Sequence, residues 1–396
     1  METVRRLRQL DAQAKTAMRR LETEYAYKDD VLHLYHAGLR RDQVRFGLFG
    51  RDLLITARLL NEPNFARDVL LFVADTLGVK EDPITGEEPG RGIHEFEHVE
   101  MRDCVTRYNA IDVTPLFLVT AHEYLIATND TSLAQEIADQ LSLAVQFMQR
   151  HLVDGLFVED PAFAGASQYA LRATYWKDSC LPGRVDPVYP VTCALVQAQA
   201  VAAFRAAAAL VQIVLGIGAS SEELASLAVH ARDALFQRLW DSVLDVPLIA
   251  QDQQGRIAGI SSDMLHMLAY LEPGDISKRH LLAIEQAAQQ LATQCGYRTY
   301  AHGQTDYDPH AYHLGAIWPF EQAVIALGAM RHNLYHVRDI TNRMIDVLEA
   351  EGFPELVYWS GDSPIESALA VPGQGCDLQL WTLAVPSALL TLEESR

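Results

Sequence analysis

The sequence predicts an all-α fold: a closed double ring of six helical hairpins, an (α/α)6 barrel, with a few short β-hairpins in its loops. Three observations lead there. Apolar residues recur with a helical period along most of the chain and with a strand period in few places. The helices marked in this way number twelve. Polar and aromatic clusters stand at the start of every even-numbered helix and at the start of no odd-numbered one.

Helices are expected to begin near residues 3, 50, 64, 113, 131, 190, 219, 262, 275, 317, 335 and 377. The third runs through Phe65, Val69, Phe72 and Leu77, with Gly78 as its C-cap. The fifth runs through Leu133, Ile137, Leu141, Val145, Met148 and Leu152, with Asn129, Asp130 and Thr131 as candidate caps. Residues 154–160 and 243–252 are the candidate hairpins. Gly50-Arg51-Asp52 opens the second helix. Tyr108, Asn109 and Asp112 lead into the fourth, and Trp176 to Ser179 precede the sixth. Ser261-Ser262-Asp263 opens the eighth, Trp318-Pro319 the tenth, and Gln379 with Trp381 the twelfth. The clusters lie about 55 to 85 residues apart, and 396 residues over six hairpins is 66 each. Even helices therefore form the inner ring, with their N-termini and marked loops converging on one mouth. No linker or composition break divides the chain, so residues 1–396 are expected to form a single domain.

Composition narrows the function. Apolar residues make up 49% of the chain, enough for a large core. A net charge of -20 repels nucleic acid and anionic lipid but not a neutral sugar. The five cysteines are scattered without zinc or disulfide spacing, which suits a reducing compartment. The N-terminus is too polar for a signal peptide. The most apolar run, near Val201 to Ile217, is interrupted by Arg205 and Gln212. A cytoplasmic protein is expected, with no nucleic-acid or membrane partner; a homo-oligomer is compatible with the sequence.

Trp176-Lys177-Asp178-Ser179 sets an aromatic face, a cation and a carboxylate side by side. Saccharide chemistry uses that set: a ring stacks on the sugar, polar groups hold its hydroxyls, and a carboxylic acid protonates the leaving oxygen. Glu355 is the second carboxylate, in the last wide loop before the twelfth helix. Arg51 and Asp52 can clamp hydroxyls, and Asp112 can accept from one or cap its helix. Trp318 is either core or a stacking platform. His94-Glu95-Phe96-Glu97-His98 fits the zinc-peptidase spacing, which needs both histidines on one helical turn. Pro89 and Gly90 just before it, and the lack of a third ligand, favour a polar loop at the mouth. No metal or cofactor is expected.

These blocks resemble the amylo-α-1,6-glucosidase domain of glycogen debranching enzymes and, more loosely, the related (α/α)6-barrel α-glycosidases. The matching stretches are Phe46 to Ile55, Pro89 to Glu95, Tyr108 to Phe117, Trp176 to Ser179, Tyr312 to Glu321, Phe353 to Leu356 and Cys376 to Trp381, in the family's order. Phe320 and Glu321 depart from it, standing where the family carries His and Asp. The resemblance implies an inverting α-glycosidase acting on a carbohydrate substrate, with Asp178 as general acid and Glu355 as general base. It also implies a sugar pocket formed by Arg51, Asp52, Glu95, Tyr108, Asp112, Trp176, Lys177, His313, Trp318, Gln379 and Trp381. Hydrolysis of terminal α-glucosidic bonds in small glucosides or oligosaccharides is expected. A glucosylglycerate or mannosylglycerate hydrolase, and a non-catalytic sugar-binding barrel, are the alternatives. Inversion requires room for water, hence carboxyl groups about 6.5–9.5 Å apart. The acid also needs a raised pKa, which Lys177 opposes unless it points elsewhere.

Overall fold

A computed structural model describes residues 2–214, 216–361 and 375–395 and the backbone of 366–367. Its helices are α1 (Glu2–Met18), α2 (Gly50–Leu60), α3 (Pro63–Asp75), α4 (Val113–Thr128), α5 (Thr131–Glu136), α6 (Ala138–His151), α7 (Ala194–Leu210) and α8 (Ser221–Arg238). They continue as α9 (Asp263–His266), α10 (Lys278–Ala288), α11 (Pro319–Arg331), α12 (Tyr335–Thr341), α13 (Met344–Glu351), α14 (Leu380–Leu383) and α15 (Val385–Glu394). Three of the expected helices are each two pieces, α5–α6, α12–α13 and α14–α15. The eighth is one turn of α-helix continued by the 3-10 turn Met267–Ala269.

The two rings differ in sequence because they differ in surroundings. α4, α7 and α11 are buried over most of their circumference, and their apolar residues run nearly without period. α1 buries only the stripe Leu7, Leu10, Ala14 and Met18. α8 buries Leu224, Ala228, Ala231, Ala234 and Leu235. α2 packs on α4, α4 on α7, and α7 on α9 and its 3-10 extension. These pack on α11, α11 on α14 and α15, and α14 and α15 pack back on α2, so the inner ring closes. α3, α6, α8, α10 and α12 lie outside it, and α1 rests on α13, α14 and α15. This is the (α/α)6 arrangement. Among the described residues no helix is long and apolar enough to cross a membrane.

Strands lock the mouth. β1 (Glu22–Tyr27) and β2 (Asp30–Tyr35) form a six-residue antiparallel hairpin, longer than the hairpins expected. Its turn, with Lys28 at φ 51°, carries neither glycine nor asparagine, so its sequence signal is weak. β3 (Gly38–Arg40) pairs with β4 (Gln43–Phe46) on one side and with the strand Leu378–Gln379 on the other. That sheet fastens the end of the chain beside its beginning and puts Gln379 opposite Gly38. A Cβ on Gly38 would run into the Gln379 amide and come within 2.6 Å of Cys376 Sγ. Hairpins lie close to the two expected stretches but with shifted bounds: Leu152–Val153 pairs with Leu156–Phe157, and 243–252 is split, Val246–Pro247 pairing back to Trp240–Asp241 and Ala250–Asp252 forward to Gly255–Ile257. Thr192–Cys193 also pairs with Ala250–Asp252, which delays the sixth helix to Ala194.

Caps fall close to the expected positions. Asn129 ends α4 in the left-handed region, and Asp130 accepts the backbone N–H groups of Ser132 and Leu133 at the start of α5. Gly78 does not cap α3, which ends at Asp75 with Thr76 as its cap. It is glycine because the carbonyl of Glu88 passes where a Cβ would stand.

The Asp130 carboxylate also accepts from Tyr124 Oη at 2.8 Å. Asp130→Ala should lower the unfolding free energy by about 1–2 kcal/mol, read from the denaturant midpoint at unchanged slope.

Candidate functional site

A cavity of about 810 Å³ opens at the N-terminal mouth of the inner ring. Of the residues singled out in the sequence, Arg51, Asp52, Glu95, Trp176, Asp178, His313, Trp318, Glu355, Gln379 and Trp381 line it. Tyr108, Asp112 and Lys177 do not. Asp112 acts on the lining through Arg51, and Lys177 through Asp263, while Tyr108 does not reach it.

Arg51 is in the first turn of α2, and Asp112 is the residue before α4. Their side chains are 2% and 1% exposed and join in a two-pronged pair, Nε to Oδ2 at 2.8 Å and Nη2 to Oδ1 at 2.9 Å. The remaining nitrogen, Nη1, lies 4.0 Å from Asp178 Oδ2. Tyr108 sends its hydroxyl to the carbonyl of Thr76. Lys177 turns away from the cavity, to Ser261 Oγ at 2.8 Å, Ser262 Oγ at 3.0 Å, the carbonyl of Thr299 and Asp263 Oδ1 at 3.1 Å. Asp263 in turn takes the Trp176 indole N–H at 3.1 Å and fixes that ring. The cluster at the eighth helix is thus a buried layer that orients the tryptophan.

The three carboxylates around the cavity are in different electrostatic states. Asp178 comes from the loop after Lys177, and its side chain is 28% exposed. Burial raises its pKa, but His94, His313 and Arg51 outweigh that and hold it below the ordinary value. Lys177, the cation expected to act on it, points away from it. Glu355 is 2% exposed. Burial pushes it up to about 7, against the Tyr312 hydroxyl on Oε1 and the Cys376 N–H on Oε2 at 2.7 Å. Asp52 is pushed up to about 8 by burial, relieved in part by Arg51 and raised further by Glu355 and Asp178. It accepts from Gln379 Nε2 at 3.0 Å.

One wall is aromatic. Trp176 meets Trp318 and Phe320 edge-on at 5.7 and 5.3 Å, and Phe320 stacks on Trp381 at 3.9 Å. Phe320 thus backs a tryptophan of the lining. Its neighbour Glu321 is wholly buried, accepts from Ser262 Oγ at 2.7 Å and does not reach the cavity. Five polar atoms of lining residues have no hydrogen-bond partner among the described residues: His36 Nδ1, His94 Nε2, His313 Nε2, Gln379 Oε1 and Trp381 Nε1. Such a set matches hydroxyl groups, which both donate and accept.

Several lining groups were not among the residues expected to form the sugar pocket. His94 Nε2 stands 3.7 Å from Asp178, while its Nδ1 faces the carbonyl of Thr106. Residues 94–98 are a loop in which His94 is buried and His98 exposed, so they share no helical turn. Tyr312, Ser179 and Glu97 also line the cavity. The signal for Tyr312 and Ser179 was their place beside His313 and Asp178 in the marked stretches.

The native protein holds protons on Asp52 and Glu355 that an unfolded chain, with ordinary carboxylate values, releases. Their contribution to stability is full below about pH 4 and is lost as pH rises through about 8. Asp178 works oppositely, its contribution being lost as pH falls through its lowered value. Unfolding midpoints measured from about pH 5 to 9 should fall for the native sequence and fall less for Asp52→Asn. A midpoint that climbs over that interval would refute the assigned protonation.

Residues 127–361 match the family described as the mannosylglycerate hydrolase MGH1-like glycoside hydrolase domain. No protein of curated function matches the chain. Among solved structures, the GH63 mannosylglycerate hydrolase from Thermus thermophilus, in complex with Tris, is similar at TM-score 0.64 and 15% identity, covering 97% of this chain and 100% of that one. The same enzyme in complex with glucose gives 0.63 and 15%, with the same coverage. The GH78 rhamnosidase of Bacillus sp. GL1 gives 0.54 and 13%, covering 87% of this chain and 32% of that one. These likenesses bear on the fold, and the debranching domain is not the family that matches. With more than half its length inside the match, the chain belongs to the MGH1-like glycoside hydrolase domain family and is a glycoside hydrolase.

Proposed function

We propose that the protein hydrolyses a small α-linked glycoside with inversion, in one catalytic domain that works in the cytoplasm. A hexosylglycerate of the mannosylglycerate type is the first substrate to try, and small α-glucosides come second. The observation that carries the reading is the pairing of two unlike carboxylates across one cavity. Among the described residues Asp178 makes no tight hydrogen bond, and it stands partly open, as a group must that meets a leaving oxygen. Glu355 receives a donor on each oxygen, and these oppose the burial that raises its pKa. Asp178 then protonates the glycosidic oxygen, and Glu355 takes a proton from the attacking water on the opposite face. Trp176, Trp318 and Trp381 supply apolar faces for the sugar.

The pKa directions favour a second reading, with the roles exchanged. Below about 7 the pair holds one proton, and in the ligand-free protein it resides mainly on Glu355. Asp178 as acid therefore works from the minor arrangement of that shared proton, whereas Glu355 as acid would use the major one. Both versions lose the proton at the same pH, so the pair titrates as a unit. In either, kcat/KM should fall as pH rises above about 7. A profile that climbs steadily from pH 6 to 9 would exclude both.

Variants separate the two. Glu355→Gln and Asp178→Asn should each cut turnover by about 10²–10⁴-fold. A glycosyl fluoride needs little protonation, so it should restore activity to Asp178→Asn and not to Glu355→Gln. Restoration in Glu355→Gln alone would establish the exchanged roles. Proton NMR of the first-formed sugar should show the inverted anomer, and the retained anomer would rule out the base mechanism.

A further inference from the structure

Next to Asp178, Ser179 meets His313 twice. Its backbone N–H donates to His313 Nδ1 at 3.3 Å, and its hydroxyl oxygen lies 2.8 Å from the same nitrogen. A backbone N–H has no other role than donor, so together with the closer hydroxyl it favours a lone pair on Nδ1. A proton on Nδ1 would set N–H against N–H. Turning the ring over would replace Nδ1 by a carbon and leave both Ser179 groups facing C–H. The hydroxyl's other neighbour is the sulfur of Cys180 at 3.8 Å, a weak acceptor.

The rest of the His313 ring is equally fixed. It is 2% exposed and stacks on Trp318 at 5.2 Å and 18°. The edges of Tyr312 and Trp176 close it in at 4.6 and 5.6 Å. Nε2 has no hydrogen-bond partner among the described residues, and the ring lines the cavity. Burial, with Lys177 and Arg51, depresses the imidazole to about 4 against Asp178 and Asp263, so it is neutral at pH 7 and carries one proton. With Nδ1 committed as acceptor, that proton sits on Nε2.

We propose that Ser179 is a positioning residue whose hydroxyl and N–H hold His313 in the Nε2–H tautomer, making the ring a hydrogen-bond donor to an oxygen of a saccharide in the cavity. The second half rests on the carbohydrate reading of the site; the tautomer does not. In the histidine tautomer with Nδ1–H, Nε2 would be an acceptor, and the ring would no longer meet a lone pair of the sugar with a donor. Ser179 thus acts on substrate binding through His313.

The test is two-bond proton–nitrogen correlation NMR on the full chain labelled with ¹⁵N-histidine, His313 being assigned by its loss in His313→Gln. The native sequence should show a pyrrole-type Nε2 and a pyridine-type Nδ1 at pH 7, unchanged down to about pH 5. Ser179→Ala should place a share of the ring in the other tautomer and lower kcat/KM by about 3- to 10-fold, chiefly through KM. Ser179→Thr, which keeps the hydroxyl, should restore both. A proton on Nδ1 in the native sequence overturns the proposal, and so does Ser179→Ala with an unchanged tautomer. Absence of turnover on every glycoside, with the Nε2–H ring present, would fail the functional reading while upholding the tautomer.

Discussion

The paired side chains of Arg51 and Asp112 underlie the mouth of the barrel. Both are charged, both are almost wholly buried, and each meets the other through two hydrogen bonds of 2.8 and 2.9 Å. Burying two ions is costly unless the geometry satisfies them, and losing one partner strands the other in a low dielectric. The pair ties the first turn of α2 to the start of α4, so two inner helices keep their relative height. The guanidinium has one nitrogen left, and it faces Asp178. One side chain thus fixes the floor of the cavity and sets the charge of a carboxylate above it.

The same economy recurs at the other inner helices. Asp263 begins α9, pairs with Lys177 and receives the Trp176 indole N–H, so a buried polar layer aims an aromatic face. Gln379, held opposite Gly38 by strand pairing, donates to Asp52, and its carbonyl oxygen has no hydrogen-bond partner among the described residues. Phe320 stacks on Trp381 where the debranching family carries His, so this part of the wall is braced by ring contact. The lining combines apolar faces with a few oriented polar atoms, the composition of a small-molecule site.

Three carboxylates near one another in a buried setting cannot all be ionised at neutral pH. Their burial and neighbouring groups decide which one is. Arg51, His94 and His313 gather around Asp178, while Glu355 and Asp52 feel burial more strongly than any cation. Asp178 and Glu355 therefore start from opposite protonation states.

Residue order alone was enough to reveal the helical rings and the end of the barrel where polar groups gather. Helical period is a local property, and α1 or α8 shows its buried stripe in the order of its residues. The clusters at the starts of even helices were equally visible, because a helix start has its own chemistry. Which members of those clusters face the cavity was settled only when the chain folded. Lys177 and Ser179 flank Asp178 in a loop without period, yet one turns down to Asp263 and the other up to His313. Asp112 withdraws behind Arg51, and His94 comes forward from a stretch whose spacing suggested other chemistry. The charge of each carboxylate also belongs to the fold, since burial and neighbouring cations set it and residues distant in sequence supply both. Side-chain direction in a loop and electrostatic state in a cavity depend on non-local contacts, and no local pattern in the chain encodes them.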